Sequence, residues 1–224
     1  MGDDPGTRRC ATDRDDDRAR LARAWSGERG GAAWRATRWG GRARAQRDPR
    51  AVAKLLAARL DRPSVVLDVA CGTGRLRGSI VGAGHRWIGV DASADQLLAG
   101  EGSRLRASAF RLPFADDAVD AAVACRFLHH LRSVADLDRA VAELVRVARR
   151  VVVVSFWDRA TWPYAVRLGR ERDASGRVGR DAARVAAAFR SAGASIVAIH
   201  RPVWRLSAQT FVAAVPAGGS ADGA

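Results

Sequence analysis

Residues 65–74, Val-Val-Leu-Asp-Val-Ala-Cys-Gly-Thr-Gly, constrain the fold of this chain more than any other stretch. Apolar residues lead to an acid and then to a turn with two glycines. Such a run, without polar alternation, is the pattern of a parallel strand buried on both faces. Gly72 and Gly74 lack a Cβ, so the turn can take positive φ and press its main chain against a ligand. A second apolar run, Trp87-Ile88-Gly89-Val90, ends in a second acid, Asp91. Strand, glycine turn, short helix and acid-tipped strand make half of a nucleoside-binding Rossmann-type unit. A nicotinamide-dinucleotide fingerprint would need a small residue three positions after Gly74, where Arg77 stands.

Four segments in order resemble the class I S-adenosylmethionine (SAM) methyltransferases, in the branch typified by ubiquinone and menaquinone biosynthesis. Leu-Asp-Val-Ala-Cys-Gly-Thr-Gly at 67–74 is similar to that family's first motif, and Val90-Asp91-Ala92-Ser93 to its ribose-binding motif. The stretch 112–120, Leu-Pro-Phe-Ala-Asp-Asp-Ala-Val-Asp, resembles the segment before the fourth strand. Phe127-Leu128-His129-His130-Leu131 resembles the "LHHL" that follows that strand. The likeness covers roughly residues 48–156. It implies a Rossmann-like, seven-stranded, mostly parallel sheet flanked by helices, whose seventh strand is antiparallel. It also implies SAM as cofactor.

The rest of the chain is consistent with that architecture. At 224 residues it can bury a full core. Residues 1–17 are charged and poor in large apolar groups, which predicts a disordered tail. Residues 18–62 form a helical extension, with Trp25, Trp34 and Trp39 as groups that pack it on the domain or cover a pocket. Residues 63–216 are the SAM-binding domain, and 217–224 a flexible tail. Asp48-Pro49 has the form of a helix start, followed by a Val52, Leu55, Leu56, Leu60 stripe. Ser93 to Gln96 has capping-box form. Strands are expected at 105–109, 119–124, 151–156, 196–199 and 209–215. Helices are expected from Asp136 onward, over 158–173, and from Asp181 to Gly193.

The formal charge of +14 raises nucleic acid as a partner. Lys54 is the lone lysine, however, and the arginines are interleaved with acids, as GC-rich coding would produce. A small-molecule acceptor is therefore favoured over nucleic acid. No stretch is long and apolar enough for a membrane span, and the start lacks a signal-peptide pattern, so a cytoplasmic protein is expected. Cys10, Cys71 and Cys125 show no metal-ligand or disulfide spacing. Oligomeric state is left open.

The resemblance assigns the site. Asp68 braces the turn or lies near the methionine end of SAM. Ala70 stands where many relatives have Gly. Gly72 and Gly74 admit the backbone, and the next helix N-terminus suits the methionine carboxylate. Asp91, with Ala92 beside it, meets the ribose hydroxyls. Ser108 replaces the acid expected at the adenine amino group, with Ala109 and Phe110 alongside. Cys125 lies along the cofactor edge; it lacks the preceding Pro of a cytosine-5 nucleophile. His129 and His130 are candidate general bases, with packing or helix capping as the alternative. Trp39, Trp157 and Tyr164 are the candidate acceptor contacts. The competing functions are a non-catalytic methyltransferase-fold protein that binds a partner or nucleic acid, and an RNA methyltransferase.

Overall fold

A computed structural model describes residues 42–162, 164, 177–202 and 207–218. The proposed tail 1–17, Trp25, Trp34, Trp39 and most of the 158–173 helix lie outside the described residues.

The elements, in chain order, are α1 (Arg42–Ala57), β1 (Val65–Val69), α2 (Arg77–Gly82), β2 (Arg86–Asp91), α3 (Ala94–Leu98) and β3 (Arg104–Arg106). After these come β4 (Val119–Ala124), a 3-10 turn (Leu128–His130), α4 (Val134–Val147), β5 (Ala148–Trp157), α5 (Ala182–Ser191), β6 (Ala194–His200) and β7 (Gln209–Pro216). They build one seven-stranded sheet in the order β3-β2-β1-β4-β5-β7-β6. β7 runs antiparallel to both β5 and β6, while the β3 to β5 pairings are all parallel. The fold is the Rossmann-like sheet expected, with its antiparallel strand at β7.

Helices cover both faces because the central strands are apolar on both. Leu67, Val69, Ala122, Ala124, Val152, Val154 and Phe156 pack on one face against α4 and α5 through Leu137, Val141, Leu144, Val185 and Phe189. Val66, Ala121, Val123, Val151, Val153 and Phe211 pack on the other, against Val52, Leu55 and Leu56 of α1 and Ile80 of α2. Among the described residues no helix is long and apolar enough to cross a membrane.

Several boundaries differ from the sequence expectation: β5 begins at Ala148 rather than 151, and Asp158 forms an isolated bridge with Arg180 rather than starting a helix. α1 begins at Arg42, so Pro49 is inside it and Asp48 is not its cap. Pro49 forfeits the bond to the carbonyl of Ala45, but α1 persists because the stripe beyond it is buried against the sheet. α4 starts at Val134 because Ser133 is the cap, its Oγ accepting the amide of Asp136 at 2.9 Å. β3 stops at Arg106, and Ser108 instead forms an isolated bridge with Arg111.

Candidate functional site

In the order 3-2-1-4-5 the direction of strand addition reverses between β1 and β4, so the ligand crevice lies beyond their carboxyl ends. The glycine turn occupies that position. Gly72 and Gly74 have φ of 58° and 82°, and Ala70 also has positive φ, 56°. The amide of Cys71 donates to Val90 O at 3.0 Å. Gly72 N donates to Asp91 Oδ2 at 2.8 Å, and Ser93 N to Asp91 Oδ1 at 2.9 Å. Asp91 therefore ties the turn to the end of β2. Each carboxylate oxygen has more than one acceptor site, so this half-buried group keeps capacity for hydroxyl donors.

Asp68 is more deeply placed, 2% exposed, and its Oδ2 accepts the indole N–H of Trp87 at 3.1 Å. Burial raises its carboxyl to a pKa of about 7, with Asp91 adding to the rise, while the indole bond and Arg75 act against it. The Trp87 ring extends beneath the turn. A Cβ on Gly89 would overlap that ring and come 2.9 Å from Cys71 Sγ, and one on Gly74 would lie 3.3 Å from it.

The segment after Gly74 adds charge. Arg75 Nη2 lies 3.1 Å from Asp48 Oδ2, and Arg126 Nη1, just past β4, lies 3.4 Å from the same oxygen. Arg75 also reaches Cys125 Sγ at 3.5 Å. Burial pushes the Cys125 thiol up to about 11, so it is protonated at neutral pH and not a thiolate nucleophile. Asp48, Arg75 and Arg126 carry no motif. Asp48 has the appearance of a helix cap, which hid its pairing with residues 27 and 78 positions away.

At the β4–β5 rim, His129 is 1% exposed and stacks on Trp157, with ring centroids 4.8 Å apart and planes 10° apart. The His130 ring lies 4.4 Å from that of His129, and the Arg177 guanidinium sits 5.4 Å from the Trp157 centroid. Tyr164 is buried against Gly179, where a Cβ would overlap its ring. Phe156 faces the core, and Trp162 is 65% exposed. Next to Trp157 in register, Gln209 donates through Nε2 to Ser155 Oγ at 2.5 Å. Gln209 was not singled out by the sequence; a glutamine opening an apolar strand was the available signal.

On the β2–β3 side, Ala92 and Ser108 are exposed and Ala109 half-buried. Ser108 Oγ accepts the amide of Phe110 at 3.2 Å. The 112–116 segment is pinned to α4: Leu112 N donates to Glu143 Oε2 at 2.7 Å, and Arg146 bonds Glu143, Asp116 and the carbonyls of Leu112 and Phe114.

A glycine turn at the switch point, an acid-tipped second strand and an antiparallel β7 define the class I methyltransferase type of Rossmann-like domain. Residues 67–155 match the sequence model of the family described as "Methyltransferase domain", and in that segment the chain is similar to the SAM-dependent methyltransferases. Over 118 residues it is 39% identical to a demethylmenaquinone methyltransferase of Thermobifida fusca, covering 47% of this chain and 49% of that one. Over 99 residues it is 33% identical to an Arabidopsis thaliana tRNA (carboxymethyluridine(34)-5-O)-methyltransferase, covering 42% of this chain and 24% of that one. The chain thus matches about half the length of the first relative and about a quarter of the second. Magnesium protoporphyrin IX methyltransferase from Synechocystis PCC 6803, solved with bound SAM, superposes with a TM-score of 0.66 at 17% identity, over 89% of this chain and 97% of that one. That likeness is one of fold.

Proposed function

We propose that this protein is a SAM-dependent methyltransferase acting on a small-molecule acceptor. The observation that carries the reading is the carboxylate of Asp91, held at the tip of β2 by the amides of Gly72 and Ser93. There it faces the crevice with acceptor capacity for a vicinal diol. The turn also fits a nucleoside ligand, since both its glycines take the positive φ that lets main chain approach closely. SAM, when bound, supplies a methyl group on a sulfonium, whose departure leaves a neutral thioether.

The residues have distinct tasks under this reading. Asp91 fixes the ribose, with Ala92 beside it, and Gly72 and Gly74 admit the cofactor chain. Ala109 and Phe110 give the adenine ring apolar contact, and Ser108 lends one hydroxyl. Asp68 and Ala70 shape the turn from below, and Cys125 packs at its side. Methyl transfer to a nucleophile depends chiefly on holding donor and acceptor in line at contact distance. A proton must leave only if the acceptor carries one, and the rim histidines are the bases within reach of that edge. His130 is the more exposed of the two. His129, stacked on Trp157, orients the rim. Trp157 and Tyr164, with Trp39 from the extension, are the proposed acceptor contacts.

A small acceptor is supported by the match to the demethylmenaquinone enzyme. The formal charge of +14 and the match to the tRNA enzyme favour RNA as the second reading. Titration calorimetry with SAM and S-adenosylhomocysteine tests the cofactor, and absence of heat from folded protein would refute the proposal. Transfer of labelled methyl from SAM to small-molecule and RNA pools separates the two acceptors. We also propose a cytoplasmic location.

A further inference from the structure

Arg180 lies outside every motif and is only 7% exposed. Its Nη2 donates to the carbonyls of Leu131 and Ser133, and its Nε is buried without a hydrogen-bond partner. Among the described residues its guanidinium makes no ion pair, whereas its neighbours Arg159 and Arg184 each do. An arginine does not shed its proton to relieve burial. A buried guanidinium that meets only neutral carbonyls, with an idle N–H, is therefore held at a cost.

The surroundings raise that cost. Arg180 directly precedes Asp181, the cap of α5, and Ser133, one of its carbonyl partners, is the cap of α4. The cation thus stands at the N-terminal ends of two helices of 14 and 10 residues, where helix dipoles favour anions. Burial first, then Arg184 and Arg159, lower the proton affinity of Arg180, with Asp138 opposing them. The acids nearby are engaged elsewhere. Asp138 pairs with Arg184, Asp181 lies 3.9 Å from Arg159, and Asp158 holds Arg201 and Thr210. Asp136, in the first turn of α4, makes no ion pair with Arg180. The Asp181 side chain makes no cap bond to α5.

This cation also adjoins the rim where an acceptor would sit. Arg180 N donates to Trp157 O at 2.7 Å, and Val178 N donates to His129 O at 2.8 Å. The segment is thereby stitched to the ends of β4 and β5.

We propose that Arg180 and the N-termini of α4 and α5 form a subsite for an oxyanion, a carboxylate or phosphate group carried by the methyl acceptor. The proposal rests on the methyltransferase reading above and adds the acceptor's charge to it. One recessed cation suits the terminal group of a small molecule, whereas a nucleic-acid backbone is neutralised by many Lys and Arg contacts.

Calorimetry on the full chain, at fixed ionic strength in chloride buffer, tests this with inorganic phosphate and acetate as probes. At least one should bind saturably, and the tighter of the two tells a phosphate-bearing acceptor from a carboxylate. Arg180→Gln should weaken that probe by at least about tenfold, as for loss of a charge-assisted bond. The variant should bind S-adenosylhomocysteine within about twofold of wild type, less than one lost hydrogen bond would cause. If Arg180→Gln melts early, hydrogen exchange on the wild-type protein serves: the probe should slow exchange in 131–137 and 178–185. Binding of neither probe, binding that survives Arg180→Gln, or protection confined to other segments would overturn the subsite. Labelled methyl from SAM should appear in the anionic fraction of a small-molecule pool. Its appearance only in neutral molecules or in RNA would overturn the role toward the acceptor. Wild-type protein that binds the probe but neither SAM nor S-adenosylhomocysteine would overturn the methyltransferase reading and leave the anion site standing.

Discussion

The indole N–H of Trp87 donates to the carboxylate of Asp68 at 3.1 Å, linking the second strand to the first beneath the glycine turn. Among the described residues it is the one hydrogen bond from a side chain that favours the charged form of Asp68; burial opposes it and prevails. The groups facing Asp68 are the Arg75 cation, the Asp91 carboxylate and the Cys71 thiol.

Burial of Asp68 makes stability depend on pH. The Asp68 carboxyl sits at about 7 in the fold against 3.8 when unfolded, so the folded state holds a proton that the unfolded state releases first. Its contribution is complete below the unfolded value and is lost as pH rises through the folded one. Urea unfolding should show a component of stability falling between roughly pH 4 and pH 7. Asp68→Asn keeps an acceptor for the indole and cannot titrate, so it should flatten that component. An unchanged pH profile in the variant would show that Asp68 does not titrate in this range.

Much of this arrangement was legible in the sequence, and the reasons are local. The β1 and β4 strands and the acid at the tip of β2 are coded by short, mostly apolar runs that end abruptly, a signal needing no tertiary partner. Gly193 closing α5 is similarly local, with φ of 76°. What escaped was set by distant contact. Asp48-Pro49 obeys the rule for a helix start, but the helix continues through it because Val52, Leu55 and Leu56 are held by the sheet. Phe156 and Trp157 are adjacent aromatics at the end of β5, yet Phe156 packs in the core while Trp157 stacks on His129.

Ala70 holds φ of 56°, where a Cβ crowds the following carbonyl at a cost of about 1–2 kcal/mol. Part of the gain from glycine is offset by its larger unfolded-state entropy. Ala70→Gly should therefore stabilise the protein by about 0.5–1 kcal/mol. Chemical denaturation measures this directly, and a destabilised variant would mean that the Ala70 methyl contributes more than its strain.

Gly89 lies where the Trp87 ring crosses β2. Added Cβ would overlap the indole and press on Cys71 Sγ, and the ring is tethered by its bond to Asp68. Gly89→Ala should cost about 1–3 kcal/mol, the usual range for overpacking. Trp87 fluorescence cannot be isolated among seven tryptophans. Thermal unfolding is therefore the readout, and an unchanged midpoint would place the indole elsewhere.

Asp91 separates cofactor binding from fold. Its two oxygens accept the amides of Gly72 and Ser93, so Asp91→Ala leaves both donors without their partner and removes the acceptor for the ribose. Asp91→Asn is the sharper variant, because one amide oxygen remains to accept while the other position now presents N–H to a donor. Loss of a hydrogen bond to a charged group costs about 1.5–3 kcal/mol. Both variants should weaken S-adenosylhomocysteine by at least that amount in calorimetry. Because 5′-methylthioadenosine carries the same ribose, it should weaken in parallel. If Asp91→Asn unfolds at the wild-type midpoint and binds both ligands at wild-type affinity, Asp91 serves the turn alone and the ribose lies elsewhere.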